Sequence, residues 1–243
     1  MPSRARWQGI LGDSNGGLIM ACVLVTGADR GIGAALVHAC HRRGDRAIAA
    51  CLGDGQALAA AGIEVAAQVD VTSMPSLEAL RLRLDGTRID VLISNAGAFH
   101  ADSFDRLDFA AMQRLYDINA LGPLRVAAAL TPLMGQGGRF GILTSRVGSI
   151  ADNAMGGMYG YRMSKSAANQ LGVNLYHELK PRGIAVMLLH PGQVATEMTR
   201  ELAALGDFIT PEESAAGLLR QLDALNAGTP PEFRHANGML LPW

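Results

Sequence analysis

The sequence predicts an α/β fold: a doubly wound, mostly parallel sheet of about seven strands with helices on both faces. Two observations carry this expectation. Short β-branched or aliphatic runs alternate with longer amphipathic segments along the chain. The first such run, Cys22-Val23-Leu24-Val25, is apolar at every position, as a strand covered on both faces requires, and it leads straight into a glycine-rich turn.

In chain order the strand candidates are Cys22 to Thr26, Arg46 to Leu52, Glu64 to Val69, Val91 to Ser94, Arg139 to Thr144, Ala185 to His190 and a terminal piece near Gly238 to Leu241. Helices are expected over Ile32 to Arg43, Ser76 to Leu84, Phe109 to Leu133, Tyr161 to Leu179 and Pro211 to Leu225, with Gly44, Gly135 and Gly183 as stop signals. The helix after the second strand is expected to be short. Right-handed crossovers place ligand sites at the carboxyl ends of the strands, near the point where strand order reverses. Gly27, Asn95-Ala96-Gly97, Ser145 and Pro191-Gly192 all fall just after strand candidates.

At 243 residues, 49% hydrophobic and 18% charged, the chain can bury one large core, and a single domain over 20–243 is expected. The formal charge of −1 offers no basic field for nucleic acid or an anionic membrane, so a small neutral or mildly polar substrate fits better. Cys22, Cys40 and Cys51 are odd in number and lack Cys-x-x-Cys spacing, which points away from disulfides and zinc and toward a reducing cytoplasm. His38, Cys40 and His41 lie on an amphipathic helix with no third ligand class, so no metal is expected. Residues 1–19 read as a leader or disordered extension, with Met20 the expected natural start; the apolar run after it has no cleavage site and is read as the first strand.

Tyr161 and Lys165 stand four residues apart on an expected helix and so share a face, where a phenol and an ammonium make an acid/base pair. A neighbouring cation favours the phenolate of a group whose ordinary pKa is about 10. In Thr26-Gly27-Ala28-Asp29-Arg30-Gly31-Ile32-Gly33 the glycines allow a pyrophosphate to approach the amides of a helix N-terminus. Together the two motifs point to a nicotinamide-dependent oxidoreductase. Asp70 can accept a hydrogen bond from adenine or serve as a local cap for the turn into Thr72-Ser73. Asn119 disfavours the helix in which it sits, so it is expected to hold a buried hydrogen-bonding position, structural or in a proton relay. The Ser145 hydroxyl can bond a developing alkoxide.

From Cys22 to the C-terminus the chain resembles the single-domain short-chain dehydrogenases/reductases, because Thr-Gly-x-x-x-Gly-x-Gly, Asn-Ala-Gly, Asn, Ser, Tyr-x-x-x-Lys and Pro-Gly-x-x-x-Thr occur in order. The segments Ser145-Arg146-Val147-Gly148-Ser149-Ile150 and Tyr161-Arg162-Met163-Ser164-Lys165 are similar to the branch of C-factor and sniffer-type carbonyl reductases. The resemblance implies a Rossmann-type fold with Tyr161 as proton donor or acceptor. Lys165 would lower its pKa and hold the nicotinamide ribose, Ser145 would orient the substrate oxygen, and Asn119 would anchor a water relay. Asn95, Ala96 and Gly97 would shape the cofactor floor, and Val194 and Thr196 would grip the carboxamide. The full expected cofactor set is Gly27, Asp29, Arg30, Gly31, Ile32, Gly33, Asp70, Val71, Asn95, Ala96, Gly97, Tyr161, Lys165, Pro191, Gly192, Val194 and Thr196.

NADP(H) is expected over NAD(H), because no acidic residue ends the second strand before Asp54 while Arg30 can pair a 2′-phosphate; Leu52 supplies no second cation. The substrate wall is expected to include Phe99, His100, Arg146, Met155, Met158 and Met198, with a short lid between Thr196 and Thr210. The substrate would be a small carbonyl or alcohol and the assembly a homodimer or homotetramer. A cofactor-binding regulatory protein of C-factor type, with little turnover, is the rival reading.

Overall fold

The structure, a computed structural model, describes residues 20–200 and 206–243. The expected leader and the middle of the expected lid lie outside the described residues. Seven strands form one parallel sheet in the order β3-β2-β1-β4-β5-β6-β7. These are β1 (Cys22–Thr26), β2 (Arg46–Ala50), β3 (Glu64–Ala66), β4 (Ile89–Ser94), β5 (Met134–Leu143), β6 (Ala185–His190) and β7 (Phe233–His235). The order reverses between β1 and β4, so the carboxyl ends of those two strands flank the crevice where ligands bind in such sheets.

Alternation along the strands divides the core. Val23 and Val25 of β1 join Val91 and Ile93 of β4 on one face, while Leu24 and Leu92 join Ile48, Phe140 and Ile142 on the other. Helices α1 (Gly31–Arg43), α2 (Gln56–Ala60) and α7 (Pro211–Ala224) cover the first face through Leu36, Val37, Leu58, Leu218 and Leu222. The second face is covered by α3 (Met74–Arg83), α5 (Gly122–Leu130) and α6 (Tyr159–Leu179), through Leu77, Leu80, Val126, Leu130 and Leu175. Helix α4 (Phe109–Tyr116) packs on α6, where a Cβ at Gly160 would come within 2.7 Å of Met112. The short α2 is the short helix expected after β2. No described helix is long and apolar enough to cross a membrane.

Three expectations need correction. The terminal strand is Phe233–His235, not Gly238 to Leu241; Phe233 pairs with Leu188, and Leu240 only forms an isolated antiparallel bridge to Arg234. Gly135 is no helix stop but lies inside β5, which begins at Met134. The single helix expected from Phe109 to Leu133 is interrupted by a π-helical turn at Asp117–Leu121. Pro123 has no amide to offer the carbonyl four residues back, and the Gly122 N–H bonds instead to the Asp117 carbonyl five residues back.

Candidate active site

The glycine turn after β1 is closed against the end of β4. Gly27 takes φ +64, and a Cβ there would lie 2.7 Å from Ala96 Cα. At Gly33 a Cβ would lie 2.2 Å from the Gly27 carbonyl oxygen and 2.5 Å from Asn95 Nδ2. Asn95 Nδ2 donates to the carbonyls of Thr26 and Gly27 at 3.0 and 2.9 Å, and Thr26 Oγ1 accepts from the amides of Asn95 and Ala96 at 3.2 and 3.3 Å. Asn95 therefore fixes the turn through its side chain, and Thr26 joins the site though sequence reasoning gave it no role.

Helix α1 starts without a side-chain cap and with no acidic residue in its first turn, so its first amides can take an anion. That cradle fits the pyrophosphate of a dinucleotide. Arg30, at the N-cap, pairs with Glu197. At the end of β2, Cys51 is buried and Leu52 is exposed. The Asp29 carboxylate accepts from the amides of Leu52 and Gly53 at 2.9 and 2.7 Å, which makes it an anchor for the strand end. Asp70 caps the turn locally, its Oδ1 accepting from the amide and the hydroxyl of Thr72, each at 2.8 Å. Val71 is buried against Gly122. Half-buried Ile32 packs on the core below α1.

On the other side of the crevice, Ser145 follows β5 and is buried. The 3₁₀ turn Arg146–Gly148 after it is stapled to α6. Arg162 Nη1 donates to the Val147 carbonyl and Ser166 Oγ to the Gly148 carbonyl, and a Cβ at Gly148 would lie 2.7 Å from the Lys165 carbonyl carbon. Thr144 Oγ1 donates to the Lys165 carbonyl at 3.2 Å. These links hold Ser145 in place relative to Tyr161 and Lys165. The start of α6 is capped from a distance: Asp102 accepts from the amides of Tyr159 and Gly160 at 2.5 and 3.0 Å, while Met158 takes a left-handed φ of +48.

Lys165 is buried, with Nζ donating to the Leu143 carbonyl at 3.1 Å and lying 5.8 Å from the centroid of the Tyr161 ring. Burial pushes the Lys165 ammonium down to about 8. Burial also pushes the Tyr161 phenol up to about 12, and a hydrogen bond with Ser145 acts in the opposite sense. Among the protein's own groups, desolvation outweighs that hydrogen bond. Asn119, on the π turn, is fully engaged. Its Oδ1 accepts from the Ala98 amide at 2.9 Å, and Nδ2 donates to the Ala98 carbonyl at 2.9 Å and to Ser164 Oγ at 3.0 Å. Ser164, inside the tyrosine-lysine motif, is thus a partner that the sequence reading passed over.

Pro191 accepts from Ser214 Oγ at 2.7 Å, and Gly192 takes φ +93 with Ile209 and His235 close by. Val194 is buried and bridges to Ile209, and the Thr196 amide and hydroxyl both meet Thr199 Oγ1. Of the expected substrate residues, Phe99 packs edge-on against Tyr161 with ring centroids 5.0 Å apart. Arg146 ion-pairs with Asp152. His100 lines a groove with Asp102, Ser103 and Arg106. Met155 and Met198 are exposed and Met158 is half-buried.

The family described as short chain dehydrogenase matches residues 21–205. A 1-hydroxy-2-glutathionyl-2-methyl-3-butene dehydrogenase of Rhodococcus sp. (strain AD45) is 48% identical over 226 residues, covering 92% of this chain and all of that protein. The C-signal protein of Myxococcus xanthus is 42% identical over 158 residues, 64% of this chain and 93% of its own. Among solved structures, the NADPH-bound carbonyl reductase from chicken fatty liver superposes with a TM-score of 0.83 at 28% identity, over 93% of this chain and all of that one. With the ordered motifs, the sheet and these similarities in agreement, the chain belongs to the short-chain dehydrogenase family.

Proposed function

We propose that the protein is an NADP(H)-dependent oxidoreductase that interconverts a carbonyl and an alcohol, with Tyr161 carrying the proton. The observation that supports this reading best is the joining of Ser145, Tyr161 and Lys165 by the staples between the Arg146–Gly148 turn and α6, across the crevice from an uncapped α1 N-terminus. The secondary-alcohol chemistry expected from the sequence stays within this proposal. The name of the Rhodococcus relative adds hydroxylated thioethers to the substrates worth assaying.

The glycine turn and the first amides of α1 would hold the pyrophosphate, Arg30 the 2′-phosphate, and the main chain of Val194 and Thr196 the carboxamide. The bound cofactor supplies the hydride chemistry. Ser145 orients the substrate oxygen and stabilises charge on it. Tyr161, kept protonated at neutral pH by burial, is ready to give its proton to a carbonyl oxygen becoming an alkoxide. Lys165, charged below about pH 8, supports the phenolate left behind. Asn119, clamped by Ala98 and Ser164, holds the π turn beside Lys165 and would anchor a water relay. Phe99 shields one edge of the Tyr161 ring.

Three buried cysteines suit a reducing cytoplasm, and the exposed apolar residues Phe109, Tyr116 and Leu124 on α4 and α5 suit a homodimer or homotetramer. The test is a fluorescence titration with NADPH and NADH, followed by turnover on a panel of carbonyls, alcohols and hydroxylated thioethers. NADPH binding with turnover is expected. Tight binding with no turnover on any class would favour the regulatory reading.

A further inference from the structure

Arg30 and Glu197 come from different segments that border the proposed cofactor cleft. Arg30 ends the glycine turn after β1, and Glu197 follows Thr196 on the segment after β6, yet Arg30 Nη1 lies 2.7 Å from Glu197 Oε2. Their neighbours touch as well, since a Cβ at Gly31 would lie 3.3 Å from Thr196 Cγ2. The two side chains are 77% and 53% exposed, so screening and side-chain entropy leave the pair little weight in folding. Its consequence falls on the ligand.

A guanidinium presents a planar fork that fits a carboxylate or a phosphate, and Glu197 engages one arm of it here. The turn's own carboxylate, Asp29, is committed to the amides of Leu52 and Gly53. Leu52 brings no second cation to the strand end. We infer that Glu197 is a specificity-determining residue that competes with the 2′-phosphate for Arg30 and so restrains the preference for NADPH over NADH. This inference rests on the reading of Arg30 as the 2′-phosphate partner. NADPH must exchange one charge-assisted pair for another, whereas NADH has only a hydroxyl at that position and leaves the Arg30–Glu197 pair in place.

Calorimetric titration of the full chain with NADPH, NADH and 2′,5′-ADP tests this in the wild type, Glu197→Gln, Arg30→Gln and the double variant, each shown by thermal melting to be folded. Glu197→Gln is expected to tighten NADPH and 2′,5′-ADP about two- to fivefold, the worth of an exposed pair, and to leave NADH within about 1.5-fold. In the Arg30→Gln background the same substitution should do nothing. A weaker NADPH complex in Glu197→Gln would overturn the inference by making Glu197 a positioning group for Arg30. An equal gain for NADH, or a gain that survives in the Arg30→Gln background, would overturn it in favour of general charge repulsion. If Arg30→Gln left NADPH affinity unchanged, the 2′-phosphate reading beneath it would fall as well.

Discussion

Around the crevice, the part formed by β1, β2 and β4 is closed by tight backbone approach at Gly27 and Gly33 and by the Thr26, Asp29 and Asn95 side chains bonded to main chain, while the loops after β4 and β5 present many exposed side chains. Gly27, Gly33, Asn95 and Thr26 interlock at distances that leave no room for a methyl group. Across from them, Met155 is 82% exposed, Arg146 is held by Asp152, and His100 lines a groove with Ser103 and Arg106. Backbone close approach demands glycine at fixed positions and so writes a motif into the sequence. A substrate wall of side chains can be built in many ways and leaves no such mark.

The largest effect expected from this contrast is that of Gly33→Ala, whose Cβ would collide with the Gly27 oxygen at 2.2 Å. The turn must shift, so the melting temperature should fall by roughly 6–12 °C, equivalent to about 3 kcal/mol of overpacking, and cofactor binding should be lost. Unchanged melting and binding would show that the wall is softer than its distances imply.

Next in size is the pH dependence set by Lys165. Its proton is bound below about pH 8, so kcat/KM for carbonyl reduction should be level near neutrality and fall above pH 8, approaching tenfold per unit. Lys165→Met should lower the plateau and remove the falling limb. A limb that persists in the variant would belong to another group.

The same contrast explains what the sequence made legible. Strands such as Leu24-Val25 and Leu188-Leu189 are buried on both faces and read as continuous apolar runs, and Gly44 and Gly183 end their segments in the left-handed conformation that glycine favours. Ser145 was expected just after a strand and Tyr161 and Lys165 four residues apart on a helix, and they lie after β5 and in α6 respectively. β7 was misplaced because Met239 and Leu240 look like core but are 48% and 58% exposed, whereas Phe233–His235 is a three-residue edge strand chosen by pairing with β6. Side chains that reach across the chain had no local signal. Asp29 anchors the end of β2, Asp102 caps α6, and Glu197 reaches Arg30, each through partners more than twenty residues away. The break at Asn119 could have been read from Pro123, whose missing amide shifts the helical ladder.

The smallest effect is expected on the exposed side. Met155→Ala should leave stability within about 0.5 kcal/mol and change only the KM for bulky substrates. A loss of stability matching that of Gly33→Ala would erase the distinction between the two regions.

The central claim, that the Ser145–Tyr161–Lys165 group transfers a proton beside a bound dinucleotide, is tested most directly by Tyr161→Phe, with NADPH affinity and turnover measured on the same preparation. Affinity within about twofold of wild type and turnover lower by roughly a hundredfold or more is the result predicted, because only the transferable proton is removed. Turnover within tenfold of wild type, with binding intact, would contradict the account.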